Sequence, residues 1–129
     1  MSLSGLNVGL LPAAQEALAL GKEYGLDITV TSVYRTLTEQ MQLRRRYEQC
    51  VARGEFQKPT AQRSAACRYP ANRPGDSAHN WGLAWDSWVP ADQMDLWTRI
   101  REYLGWHVPA NDLVHAELPD WRSYVRASG

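Results

Sequence analysis

Asp76-Ser77-Ala78-His79-Asn80-Trp81-Gly82-Leu83-Ala84-Trp85-Asp86, DSAHNWGLAWD, is the stretch from which the rest of the chain can be read. Asn80 and Gly82 flank Trp81, and both residue types tolerate the positive φ of a tight turn. Leu83, Ala84 and Trp85 then form a short apolar run suited to a strand. A turn leading into a strand brings His79 and Asp86 to one point. An imidazole nitrogen and a carboxylate oxygen converging there suit zinc, which binds both at ~2 Å. Two ligands do not complete a site, so a third must come from elsewhere in the chain.

Upstream, residues 12–24 read as a helix with Ala13, Ala14, Ala17, Leu18 and Leu20 on its apolar side, closed by Gly25. DITVTSV, residues 27–33, alternates and is rich in β-branched residues, as a strand requires. Thr36-Leu37-Thr38-Glu39 is a capping box opening a second helix that runs to about Ala52 and stops at Gly54. Residues 55–77 have little periodicity and much Pro, Ser, Arg and Ala. A loop of this length in a compact domain usually serves binding. Downstream of the central stretch, Pro90 opens a third helix to about Leu104, with Met94, Trp97, Ile100 and Leu104 on one face. A hairpin-like return at residues 106–108 turns through Pro109-Ala110-Asn111 into a last strand, 113–118, and Pro119 starts a short helix to about Arg126. The pattern predicts one α+β domain over residues 1–129. It has a small, mainly antiparallel sheet with packed helices, and the zinc site lies at the sheet edge under the long loop.

The last strand and its approach carry Asp112, His115 and Glu117. His115 is the best third ligand, since its strand can pair with the one that begins near Asp86. Three protein ligands with an open fourth position are the pattern of a catalytic zinc rather than a structural one. Such a site needs a carboxylate to take and return a proton, and on position alone Asp112 and Glu117 both qualify. Glu117, on the same face as His115, also suits a group that orients its imidazole. Arg35 ends a strand, where it either faces a reacting carbonyl or is simply solvated. Ser77 either shapes the site or caps a turn. His107 packs or caps near Trp106.

Of the 129 residues, 44% are apolar and 22% charged, with zero formal net charge. That balance excludes broad electrostatic capture of nucleic acid or of an anionic membrane. The run Arg44-Arg45-Arg46 points in several directions on a helix and reads as a solvated face. Six tryptophans against one phenylalanine suit cores and ligand grooves alike, and each is placed first in the core. No apolar run approaches the ~20 residues of a transmembrane helix, and no signal peptide is recognisable. Synthesis in the cytoplasm is therefore expected; Cys50 and Cys67 could pair, although two cysteines without an export signal are more often free thiols, and the sequence leaves the bridge open.

Three motifs together carry a resemblance. Ser32-Val33-Tyr34-Arg35-Thr36 is followed by Gln40. Ser77-Ala78-His79-Asn80-Trp81-Gly82-Leu83-Ala84-Trp85-Asp86 has the form S-x-H-x-x-G-x-A-x-D, and Asp112-Leu113-Val114-His115-Ala116-Glu117 the form D-x-x-H-x-E. In order and spacing the chain resembles, over residues 27–122, the zinc peptidase family of D-Ala-D-Ala carboxypeptidases and phage L-alanyl-D-glutamate endopeptidases. The resemblance implies Zn2+ on His79, Asp86 and His115, with Asp112 as general base. It also implies Arg35 on the substrate, with Ser77 and Gln40 shaping the binding site. The implied substrate is the peptidoglycan stem peptide. An aspartate base resembles the endopeptidase branch, so cleavage between L-Ala and D-Glu is expected, by an enzyme reaching the cell wall through phage-type release or within a virion. A D,D-carboxypeptidase or dipeptidase on the same scaffold is the alternative, and a phage structural subunit that retained the fold a further one. Three features depart from the pattern: the short His107–Asn111 link, Ala116 in place of an aromatic, and Trp85 in place of an aliphatic residue.

Overall fold

The computed structural model describes residues 2–128. Helix α1 (Leu11–Glu23) is followed by strand β1 (Thr29–Ser32) and helix α2 (Leu37–Ala52). After the long loop come β2 (Ala84–Trp88), α3 (Met94–Tyr103), β3 (His115–Glu117) and α4 (Trp121–Ser128). The strands form one antiparallel sheet in the order β1-β2-β3. This is the expected α+β architecture, with strands shorter than their sequence patterns.

The last strand is shorter for a local reason. Residues 112–114 turn instead of extending, closed by His115 N–H donating to the Asp112 carbonyl at 3.0 Å. The hairpin return is present as a single bridge in which His107 and Glu117 exchange both backbone hydrogen bonds at 2.9 Å. The capping box of α2 also forms: Glu39 N–H donates to Thr36 Oγ1, and Thr36 N–H to Glu39 Oε1, each at 3.0 Å.

Trp85 on β2 stands between Trp97 on α3 and Trp106, with edge-on ring contacts at 5.9 and 5.7 Å. All three are buried, and edge-to-face pairs add ~0.5–1.5 kcal/mol each beyond the area they bury. Trp121 is buried with Leu83 and Ala84 in a second cluster, whereas Trp81 and Trp88 are exposed, so the core reading holds for four of the six tryptophans. Gly21 lets α1 approach this core, because a Cβ there would stand 2.4 Å from Ile28 Cδ1 and 3.1 Å from the Trp97 ring.

The loop between α2 and β2 is not shapeless. Three short 3-10 turns, Glu55–Gln57, Thr60–Gln62 and Ala65–Cys67, fold it back along α2. Phe56 packs edge-on against Tyr47, with Arg63 over its other side. Gln40 and Arg44 of α2 donate to the carbonyls of Asn72 and Ala71 at 2.8 and 2.9 Å. The pairing that the sequence left open is made here: Cys50 and Cys67 form a disulfide, their Cα atoms 5.6 Å apart. The loop's return to the end of α2 brings the two sulfurs together across 17 positions, a closeness that sequence spacing does not encode. The arginine run divides as well: Arg44 binds the loop, Arg45 is exposed and Arg46 lines the cavity described next.

Candidate metal centre and substrate cavity

Asp86 lies on the central strand, directly opposite His115 on β3 and Ser32 on β1. Antiparallel register alone therefore brings Asp86 and His115 together. His79 arrives from the 3-10 turn Ala78–Trp81, which Ser77 caps by accepting the His79 N–H on its hydroxyl. At the end of that turn it is Gly82, not Asn80, that takes the positive φ, +68°. A Cβ there would stand 2.7 Å from the Gly5 carbonyl oxygen, so the position needs glycine for space as well as for φ.

The three donor atoms converge. His79 Nε2 lies 3.1 Å from Asp86 Oδ1, His115 Nδ1 lies 3.1 Å from the same oxygen, and the two imidazole nitrogens are 3.2 Å apart. Ligands bound tetrahedrally at ~2 Å stand about 3.3 Å from one another. Two imidazole nitrogens and a carboxylate at this spacing fit a divalent ion with nitrogen and oxygen preference, and this is the one such His/Cys/Asp/Glu group among the described residues.

Each ring is held from its far side. His79 Nδ1 is 2.6 Å from the Val33 carbonyl, which can only accept, so the Nδ1 proton stays there and Nε2 is free to ligate. His115 Nε2 is 2.7 Å from Glu117 Oε1, leaving Nδ1 to face Asp86. This contact suits Glu117 to orient the His115 ring, one of the two roles that its position leaves open. Burial works against the charge on Asp86, but its hydrogen bonds to His115 and His79 prevail and hold the carboxyl well below the usual range. Burial also disfavours the His115 cation, and the hydrogen bonds to Asp86 and Glu117 outweigh it, raising its pKa to about 9.

The cluster opens on a cavity of about 570 Å³ whose wall includes Arg35, Gln40, Ser77 and Asp112, so every residue expected at the site meets in one place. Asp112 is on the exposed rim, where partial loss of water raises its pKa, opposed by nearby His115. Arg35 donates to Gln40 Oε1 at 3.0 Å. Gln40 is buried and spends both ends of its amide on the protein, accepting from Arg35 and Asn80 and donating to Asn72. It therefore orients Arg35 and the loop. Asn80, which the turn reading treated only as a bend residue, also donates to the Arg35 carbonyl at 3.0 Å. Arg46 and Arg68 line the cavity too. Arg63 is committed to carbonyls within its own loop.

The sequence matches, over residues 4–107, the family model described as VanY, D-alanyl-D-alanine carboxypeptidase. No curated protein matches at a significant level. Among solved structures, the chain resembles the vancomycin resistance D,D-pentapeptidase VanY from a VanB-type resistance cassette, in complex with Zn(II). Identity is 19% and the TM-score 0.66, over 94% of this chain and 76% of that one. VanYB in complex with D-alanine-D-alanine gives 18% and 0.67 over 94% and 75%. The LdcB LD-carboxypeptidase gives 16% and 0.63 over 95% and 64%. At these identities the structures establish a shared fold, while the family match spans most of the sequence. The chain belongs to the VanY family of D-alanyl-D-alanine carboxypeptidases, zinc peptidases that act on peptidoglycan.

Proposed function

We propose that this chain hydrolyses the peptidoglycan stem peptide with zinc on His79, Asp86 and His115, releasing D-alanine from the C-terminal end of the stem. The observation that carries the reading is the convergence of those three donors on the wall of a cavity that also holds Asp112 and Arg35. Two points support the choice of bond. The family is one of D-alanyl-D-alanine carboxypeptidases, and a structure of the same fold is a complex with D-alanine-D-alanine. A carboxypeptidase also needs a cation for the terminal carboxylate besides the group that faces the oxyanion, and Arg46 and Arg68 line the cavity together with Arg35.

Zinc, when bound, supplies a Lewis acid that polarises a carbonyl and acidifies water. Asp112 takes the proton from the attacking water and delivers it to the leaving amine; partial desolvation brings its pKa up toward that task. Arg35, oriented by Gln40, faces the substrate carbonyl or carboxylate. Ser77 caps the turn that carries His79 and forms part of the cavity wall.

A second reading, cleavage between L-Ala and D-Glu, is favoured by one observation. The base position holds Asp112, one methylene shorter than glutamate, as in the phage-type endopeptidases the motifs resemble. A structural subunit would need neither Asp112 nor Arg35 at the cavity. Action at the cell wall, outside a reducing cytoplasm, is supported by the Cys50–Cys67 disulfide. Mass spectrometry of digested cell walls and of a D-Ala-D-Ala pentapeptide tests the reading. Free D-alanine is the expected product. New N-terminal D-Glu would replace this assignment with the endopeptidase, and an inert zinc-loaded protein would leave the structural role.

A further inference from the structure

Arg101 on α3 is fully buried, at 0% exposure. A buried guanidinium is ordinarily paired with a carboxylate, yet none of the ion pairs among the described residues includes Arg101. Instead it donates to the Leu113 carbonyl at 2.7 Å and the Val114 carbonyl at 3.4 Å. On its own helix it reaches the Trp97 carbonyl and Thr98 Oγ1, both at 3.3 Å, and Met94 Sδ at 3.6 Å. Its guanidinium carbon lies 5.1 Å from the Trp97 ring centre. Desolvation lowers its pKa to about 10, which leaves it cationic at neutral pH.

Leu113 and Val114 are the two residues between Asp112 and His115. Their carbonyls belong to the turn that interrupts the last strand, and only the Val114 carbonyl has a strand partner, the Ser87 N–H at 2.9 Å. Without another donor, the Leu113 carbonyl would be left to water, and the turn would hang on the backbone bonds Asp112 N–H to Pro109, His115 N–H to Asp112 and Ser87 N–H to Val114. We infer that Arg101 is a positioning residue, which clamps this turn from the core side and so sets where the Asp112 carboxylate stands relative to the ligand His115. The five donors of one planar guanidinium suit a clamp on several carbonyls; an ammonium would reach fewer. The catalytic consequence rests on the roles proposed above for Asp112 and His115, whereas the clamp itself does not.

Arg101→Met keeps much of the volume but takes the donors away from the Leu113 and Val114 carbonyls, so the protein should fold with a melting temperature lowered by about 5 °C. Amide hydrogen exchange at His115 and Ser87 should accelerate while α1 and α3 stay protected. Zinc affinity, from competition with a chromophoric chelator, and kcat should each fall ~10–100-fold with KM little changed. Arg101→Lys should recover part of both. Unchanged exchange at those two amides in folded Arg101→Met overturns the clamp, as does failure of both variants to fold, which would make Arg101 a residue of the core alone. Absence of zinc binding in the parent chain would sink the proposed function and leave the exchange result standing.

Discussion

His79 and His115 present different ring nitrogens to Asp86, and in each case a hydrogen bond on the far side of the ring is the cause. The Val33 carbonyl fixes His79, and the Glu117 carboxylate fixes His115. Replacing Glu117 by alanine should therefore weaken zinc binding ~10–100-fold, measured by chelator competition. Asp112→Asn should keep zinc and the fold while turnover drops ~10²–10⁴-fold. An active Asp112→Asn beside a dead Glu117→Gln that still binds zinc would exchange the two roles. The metal-free protein has its own pH signature. His115 is raised from an ordinary 6.5 to about 9, so its stabilisation is complete below pH 6.5 and is lost as pH rises through 9. Asp86 is depressed from an ordinary 3.8, so its share is present above that value and disappears only in stronger acid. The melting temperature of chelator-treated protein should fall between pH 6.5 and 9, and His115→Gln should flatten that slope. An equal slope in parent and variant would show that the site's hydrogen bonds contribute little to folding.

Some of the elements around the site announce themselves at short range. Thr36 and Glu39 cap α2 through contacts three residues apart, and Gly82 ends the His79 turn by its own φ, so sequence-local chemistry was enough to read both. Gly82→Ala should cost at least about 1–2 kcal/mol for the left-handed conformation, with the clash against Gly5 added, visible as a lowered denaturant midpoint. Other elements depend on partners far along the chain. The 55–77 loop reads as irregular, yet Cys67 binds Cys50, and the residues that follow form the cavity wall. A Cys50→Ser, Cys67→Ser variant should lose about 3 kcal/mol of stability, the loop-entropy value for a closure of this size. It should also show a raised KM, because Arg68 stands beside Cys67. Unchanged KM would mean that α2 holds the wall without the bridge. The last strand starts late for a local and a more distant reason together: the turn at Asp112 uses the His115 N–H, and Arg101 takes the Leu113 carbonyl.

Across the whole molecule, the cavity draws on α2, the disulfide-closed loop and the residues after it, the His79 turn, β2, the approach to β3, β3 and the start of α4. On the proposed reading, its cations distinguish a terminal bond from an internal one. Arg46→Ala with Arg68→Ala should raise KM for a D-Ala-D-Ala substrate at least ~10-fold, the loss expected on removing charge-assisted contacts to a carboxylate. An unaltered KM would favour the internal L-Ala–D-Glu bond, where no terminal carboxylate has to be held. The sequence by itself supplied the candidate metal donors, the α+β class and the family resemblance. Those rest on residue identity, spacing and period, which are properties of neighbours along the chain. Only the tertiary structure decided the disulfide, the hydrogen-bond partners of Glu117 and Gln40, the cavity arginines, and the interior place of Arg101. The bridge, the Arg101 contact to Leu113 and the Gln40 contact to Asn72 join residues 17, 12 and 32 positions apart, and only the packing of α2 and α3 against the loop and the sheet brings those segments within reach.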